Sequence, residues 1–132
     1  MADIDKLGWL SIQDRKLLCV RSRGKSLFYI PGGKRDPGES DEQALMREIR
    51  EELSIELEPS SIRKFESFRA QADGKPEGVM VRVSCFFADP VGTPKAASEI
   101  EELAWLVHAD RNRLSVTGQI IVDRLVELDL LD

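Results

Sequence analysis

Between residues 29 and 55 an apolar stretch, two glycines and a row of acids follow one another at spacings that suit very few folds. Glu48, Glu51 and Glu52 stand at i, i+3 and i+4, which on an α-helix places three carboxylates on one stripe. Two unit charges ~4 Å apart repel by about 1 kcal/mol in water and about 4 kcal/mol at the effective dielectric of a partly buried site, so a multivalent cation is the natural counterweight. The same residues also suit a solvated helix face on which Arg47 and Arg50 pair with neighbouring acids. What favours a site is the segment just upstream, Tyr29-Ile30-Pro31-Gly32-Gly33-Lys34, where an apolar strand runs into residues that let the backbone approach a ligand closely. Strand, glycine corner and acidic helix together predict a magnesium or manganese site.

Gly33, Glu39, Arg47, Glu48, Ile49, Glu51, Glu52 and Ile55 fit the pattern G-x5-E-x7-R-E-U-x-E-E-x-G-U, with U aliphatic, and by these residues the chain resembles the Nudix hydrolases. Ser54 departs from the pattern, which has glycine there. That position lies just past the helix, where a left-handed residue is convenient, so the departure bears on turn geometry more than on chemistry. The resemblance implies hydrolysis of a nucleoside diphosphate linked to another moiety, with water attacking phosphorus and divalent cations, Mg²⁺ or Mn²⁺, held by the motif. It implies Glu51 and Glu52 as main metal ligands, the Gly32 carbonyl as a further oxygen, and Glu48 as a ligand or the base that activates water. Arg47 would orient Glu48 or Glu52, while Gly33 and Glu39 would support the loop. Relatives often use one more acid from outside the motif. Here Glu99 is the first candidate and Glu102 the second, both lying before the last expected strand.

Leu7–Leu10 and Leu17–Arg21 read as strands about a turn at residues 13–16, and 27–30 as a third strand entering the glycines. Ser40 with Gln43 makes a capping box, and Leu45, Ile49 and Leu53 recur every four residues, which predicts an amphipathic helix over 40–53, ~21 Å long. Residues 62–70 alternate loosely. After a turn at Asp73-Gly74, Val79, Val81, Val83, Cys85 and Phe87 mark the clearest strand. Leu103, Trp105 and Val107 predict the last one, and a C-terminal helix from Ser115 or Thr117 should turn Ile120, Ile121, Leu125 and Leu128 inward. Mixed strands with two helices give an α/β fold, a three-layer α/β/α sandwich with a mixed sheet. The Nudix resemblance implies the same architecture, with residues 1–132 forming one domain.

A net charge of −5 argues against tracking a nucleic-acid backbone and for a small-molecule nucleotide partner. Arg21, Arg23, Lys25 and Lys34 are the candidate phosphate contacts. No segment reaches the ~20 apolar residues of a membrane span, and the expectation is a cytoplasmic monomer or homodimer. Cys19 and Cys85 sit in apolar strands as reduced core residues, and His108 reads as a surface or strand-end residue. The features of ADP-ribose, dinucleoside-polyphosphate and coenzyme A hydrolases are missing around the motif. The resemblance therefore implies a (deoxy)nucleoside triphosphate, cut to monophosphate and pyrophosphate. ADP-ribose or a nucleotide sugar is the alternative substrate, and a non-catalytic nucleotide-sensing Nudix module the alternative role.

Overall fold

The computed structural model describes residues 2–132. Strands β1 (Ile4–Leu10) and β7 (Met80–Phe87) run parallel at the centre of a four-stranded sheet, ordered β4-β1-β7-β6, whose edges are β4 (Gly32–Lys34) and β6 (Arg63–Gln71). Both edge strands pair antiparallel, so the sheet is mixed, as expected. A second sheet joins β2 (Ile12–Gln13), β3 (Lys16–Ser22) and β9 (Ile100–Leu106), and a small ribbon pairs β5 (Glu56–Leu57) with β8 (Pro90–Val91). Positive φ at Asp14 and Arg15 turns β2 tightly into β3, the backbone hand that two-residue hairpins favour.

The helices α1 (Asp41–Leu53) and α2 (Val116–Glu127) cover opposite faces. Leu7 and Trp9 of β1, Leu18 and Val20 of β3 and Phe86 of β7 pack under Leu45, Ile49 and Leu53 of α1. The intervening residues Leu10, Leu17, Cys19, Val81, Val83 and Cys85 form a second core with Ile121, Val122 and Leu125 of α2. Alternate side chains of one strand therefore feed two cores, the pattern of strands buried on both faces, and the result is the α/β/α sandwich. The Trp9 indole N–H, buried in the process, donates to the Ala88 carbonyl at 2.9 Å.

Three expectations differ from the structure. Residues 27–30 do not form a strand; Phe28 and Tyr29 make only single bridges, to Leu114 and Val20, and the strand beside the motif is Gly32–Lys34 itself. Two glycines carry no hydropathy signal, so this strand exists through its pairing with β1. On α2, Ile120 and Leu128 are exposed, because the buried stripe follows Thr117, Gly118, Ile121, Val122 and Leu125 around the helix. The last strand ends at Leu106, and Val107 instead caps the 3-10 segment His108–Arg113. Cys19 and Cys85 are free and buried, with burial pushing both thiols up to about 12. His108 lies on the surface against Asp123. Among the described residues no helix is long and apolar enough to cross a membrane.

Candidate active site

Helix α1 begins where Ser40 and Gln43 cap each other's backbone, at 2.9 and 3.1 Å, and its fixed start sets the phase of every later residue. Ala44, Leu45, Ile49 and Leu53 point into the core, which leaves Glu48 and Glu52 on the flank facing β4. Glu52 is 7% exposed, and its carboxylate accepts the Gly32 amide at 2.9 Å. Burial pushes its pKa up to about 8, with Glu48 and Glu99 pressing in the same direction and the Gly32 amide opposing. Glu48 is also raised, by burial first. Its carboxylate lies so close over Gly33 that a Cβ there would fall 2.5 Å from Oε2.

Arg47 organises the acids around the glycine loop. It donates to Glu39 at 2.8 and 2.9 Å, to Glu48 at 3.0 Å, to Glu51 at 3.3 Å and to the Lys34 carbonyl at 2.9 Å. Glu39, pulled down to about 2 by Arg47, also accepts the Asp36 amide, so it braces the loop after the glycines. Arg47 thus fixes Glu48 and makes no contact with Glu52. Glu51 stands apart, with its side chain 52% exposed beside Arg47 and outside the cavity.

The distal acid is placed by the chain before β9. The amides of Lys95 and Ala97 donate to the Leu53 and Glu52 carbonyls, both at 2.9 Å, tying this segment to the end of α1. Glu99 follows and lines the same cavity as Glu48 and Glu52, with its carboxylate lowered chiefly by the Ser98 hydroxyl, which donates at 2.6 Å. Glu102 instead faces Arg21 across the β3–β9 pair, and Arg21 is held by Glu101 and Glu102. Arg21 and Arg23 lie outside the cavity; Arg23 contributes its backbone amide to the Glu99 carbonyl and its charge to Glu99.

The cavity holds about 510 Å³. Glu48, Glu52 and Glu99 line it beside Gly32 and Gly33, and so do the apolar side chains of Ile30, Val81, Val83 and Ile121. Lys34 and Lys25, both expected near phosphate, line it. So do Lys6, Lys75, Gln71, Tyr29 and Asp73, which the sequence reading missed. The Tyr29 hydroxyl donates to Asp73, closing the space between the chain before β4 and the β6–β7 turn. Of these, Lys6 had a visible signal, a lysine in step with Ile4 and Leu10; Tyr29 and Asp73 had none, since folding alone brings them together.

Among the described residues no three His, Cys, Asp or Glu side chains converge tightly enough to form a closed metal cage. Glu48, Glu52 and Glu99 nevertheless offer hard oxygen donors around one cavity, and Glu52 is buried with no ion pair among the described residues. That donor set fits Mg²⁺ or Mn²⁺, which take carboxylates and leave positions for water and phosphate oxygens.

Residues 7–117 match the NUDIX domain. The chain belongs to the Nudix hydrolase family. It is 30% identical over 113 residues to the nucleoside triphosphatase NudI of Enterobacter sp. (strain 638), a match covering 76% of this chain and 78% of that protein. A shorter stretch of 60 residues, 44% of this chain and 19% of the other, is 35% identical to the 8-oxo-dGDP phosphatase NUDT18 of Homo sapiens. The solution structure of the E. coli ORF135 protein superposes with a TM-score of 0.75 at 26% identity, covering 98% of this chain and 92% of that one. As a Nudix hydrolase the chain is an enzyme that acts on phosphoric anhydride bonds, and the mixed sheet between α1 and α2 is the Nudix sandwich.

Proposed function

We propose that residues 1–132 act as one catalytic domain that hydrolyses a nucleoside or deoxynucleoside triphosphate to monophosphate and pyrophosphate, with Mg²⁺ or Mn²⁺ as cofactor. The observation that carries this reading is one cavity lined by Glu48, Glu52 and Glu99 together with lysines, Lys34 among them, and apolar side chains. Its volume of about 510 Å³ falls within the ~300–1,000 Å³ usual for small-molecule sites. NudI, a nucleoside triphosphatase by name, shares 30% identity over most of both chains, which supports a triphosphate. The cytoplasm, where nucleoside triphosphates are made and used, is the corresponding location.

Glu52, Glu48 and Glu99 are the side chains that would hold the cation, with the Gly32 carbonyl as the backbone oxygen. When bound, the cation would neutralise phosphate oxygens and acidify the attacking water. The protein's own part is positioning. The Gly32 amide fixes Glu52, and Arg47 fixes Glu48, which supports Glu48 as the base that would take the proton of that water. Glu51 keeps Arg47 in place from the solvent side. The apolar lining, Ile30, Val81, Val83 and Ile121, would shed water around the base and ribose.

The test is product release from a panel of nucleoside triphosphates, ADP-ribose and nucleotide sugars, with Mg²⁺ and with excess EDTA. Phosphorus NMR in ¹⁸O-labelled water identifies the phosphorus attacked. Metal-dependent pyrophosphate release from a triphosphate is the expected result. Turnover of ADP-ribose or a nucleotide sugar alone would reassign the substrate, undiminished turnover in EDTA would remove the metal, and binding without turnover would make this a sensing module.

A further inference from the structure

Strand β1 carries a lysine where its alternation leads to an apolar side chain. Ile4, Lys6, Gly8 and Leu10 share one face of the strand; Leu10 lies in the core under α2 and Ile4 packs against it. The sheet partners of Lys6 are Val83 on β7 and Lys34 on β4, so two lysines stand side by side across an antiparallel pair, an arrangement that like charges oppose. Lys6 is part-buried. Burial pulls its pKa down, and the charges of Lys34 and Lys75 add to the effect.

Among the described residues, none of Lys6, Lys34 and Lys75 makes an ion pair or a side-chain hydrogen bond to offset this cost. All three line the cavity that holds Glu48 and Glu52. The two acids feel Lys6 at a distance, yet neither pairs with it, and Glu48 is already paired with Arg47. A convergent set of unpaired ammonium groups inside an acidic protein calls for an occupant with several anionic oxygens in a row.

We propose that Lys6, with Lys34 and Lys75, binds the phosphate chain of the substrate and makes the site selective for an uncapped polyphosphate over a diphosphate capped by a neutral sugar. This rests on the triphosphate reading above for the substrate, and on the cavity alone for the binding. Lys6 supplies point charge and is not a participant in bond breaking. Its loss therefore acts on substrate affinity more than on turnover.

The experiment compares wild type, Lys6→Met and Lys6→Arg in two measurements: calorimetric binding of inorganic tripolyphosphate with Mg²⁺, and steady-state kinetics on nucleoside triphosphates and ADP-ribose. Methionine suits the apolar register of this face, so K6M should fold and melt no lower than wild type. Expected for K6M is a ~10- to 100-fold weaker tripolyphosphate affinity and a similar rise in KM for triphosphates, the size of a lost hydrogen bond to a charged group. The kcat should stay within about threefold, KM for ADP-ribose should change far less, and K6R should retain most of the affinity. If Lys6 were only a counter-ion for Glu48 and Glu52, K6M would melt lower and bind tripolyphosphate as wild type does, which overturns the proposal. Absence of tripolyphosphate binding by wild type overturns it equally. Should K6M fail to fold, Lys34→Met at the exposed neighbouring position carries the same expectation, and unchanged affinity there counts against the clamp. Tripolyphosphate binding that depends on Lys6 in a protein that cleaves no triphosphate would remove the assigned substrate and leave the clamp. Triphosphate turnover with unchanged affinity in K6M would do the reverse.

Discussion

At the scale of single residues the two glycines of β4 do different work. A Cβ on Gly32 would lie 2.0 Å from the Leu7 carbonyl oxygen, and its φ of +143° is one that side chains rarely adopt, so substitution there damages the sheet. A Cβ on Gly33 would meet the carboxylate of Glu48, 2.5 Å from Oε2, which is side chain and not backbone. Gly33→Ala should therefore still fold, losing about 1–3 kcal/mol as the carboxylate moves off and gives up its bond to Arg47. Turnover should nevertheless fall ~10- to 100-fold, because Glu48 leaves the position that Arg47 gives it. Denaturant unfolding beside steady-state kinetics checks this pair of outcomes; a variant with wild-type kcat would show that the place of Glu48 is immaterial.

At the scale of elements, α1 is the part most legible in the sequence, because its signals are local. The Ser40–Gln43 box and the Leu45, Ile49, Leu53 repeat fix its start and phase, and phase alone carries Glu48 and Glu52 to the cavity. Its end was legible too. Ser54 adopts φ 55° and ψ 33°, the left-handed geometry in which the family pattern has glycine. A side chain in that region costs about 1–2 kcal/mol, partly offset by the greater freedom of glycine when unfolded, so Ser54→Gly should raise stability by ~0.5–1 kcal/mol. Turnover should stay within about twofold; a larger loss would give Ser54 a part in the site. What the sequence hid depends on distant pairing. β4 is a strand because β1 lies beside it. Tyr29 meets Asp73 only when the β6–β7 turn folds over. Glu51 shows the opposite limit: helical spacing placed it on the acidic stripe, but three carboxylates on one stripe need not all face one cavity, and Arg47 holds it at the rim.

At the scale of the whole molecule, the buried acids link stability to pH. Glu52 titrates near its ordinary value of 4.5 when unfolded and at about 8 in the folded, metal-free protein. Between these values the native state holds a proton that the unfolded chain has lost, so stability falls as pH rises through that window, by at most about 1.4 kcal/mol per pH unit. Urea unfolding in EDTA at pH 5.5 and 7.5 should show the decline, Mg²⁺ should reduce it, and Glu52→Gln should flatten it; a flat profile in wild type would mean that the carboxylate is solvated. The central claim, that the Glu48–Glu52 flank of α1 performs the chemistry, is tested most directly by kcat of Glu52→Gln against Glu42→Gln, an exposed acid in the first turn of the same helix. Glu52→Gln should lower kcat ~10²- to 10⁴-fold in a protein that melts no lower than wild type, while Glu42→Gln stays within about twofold. Equal and small effects from both, in an otherwise active enzyme, would move the active site away from this helix.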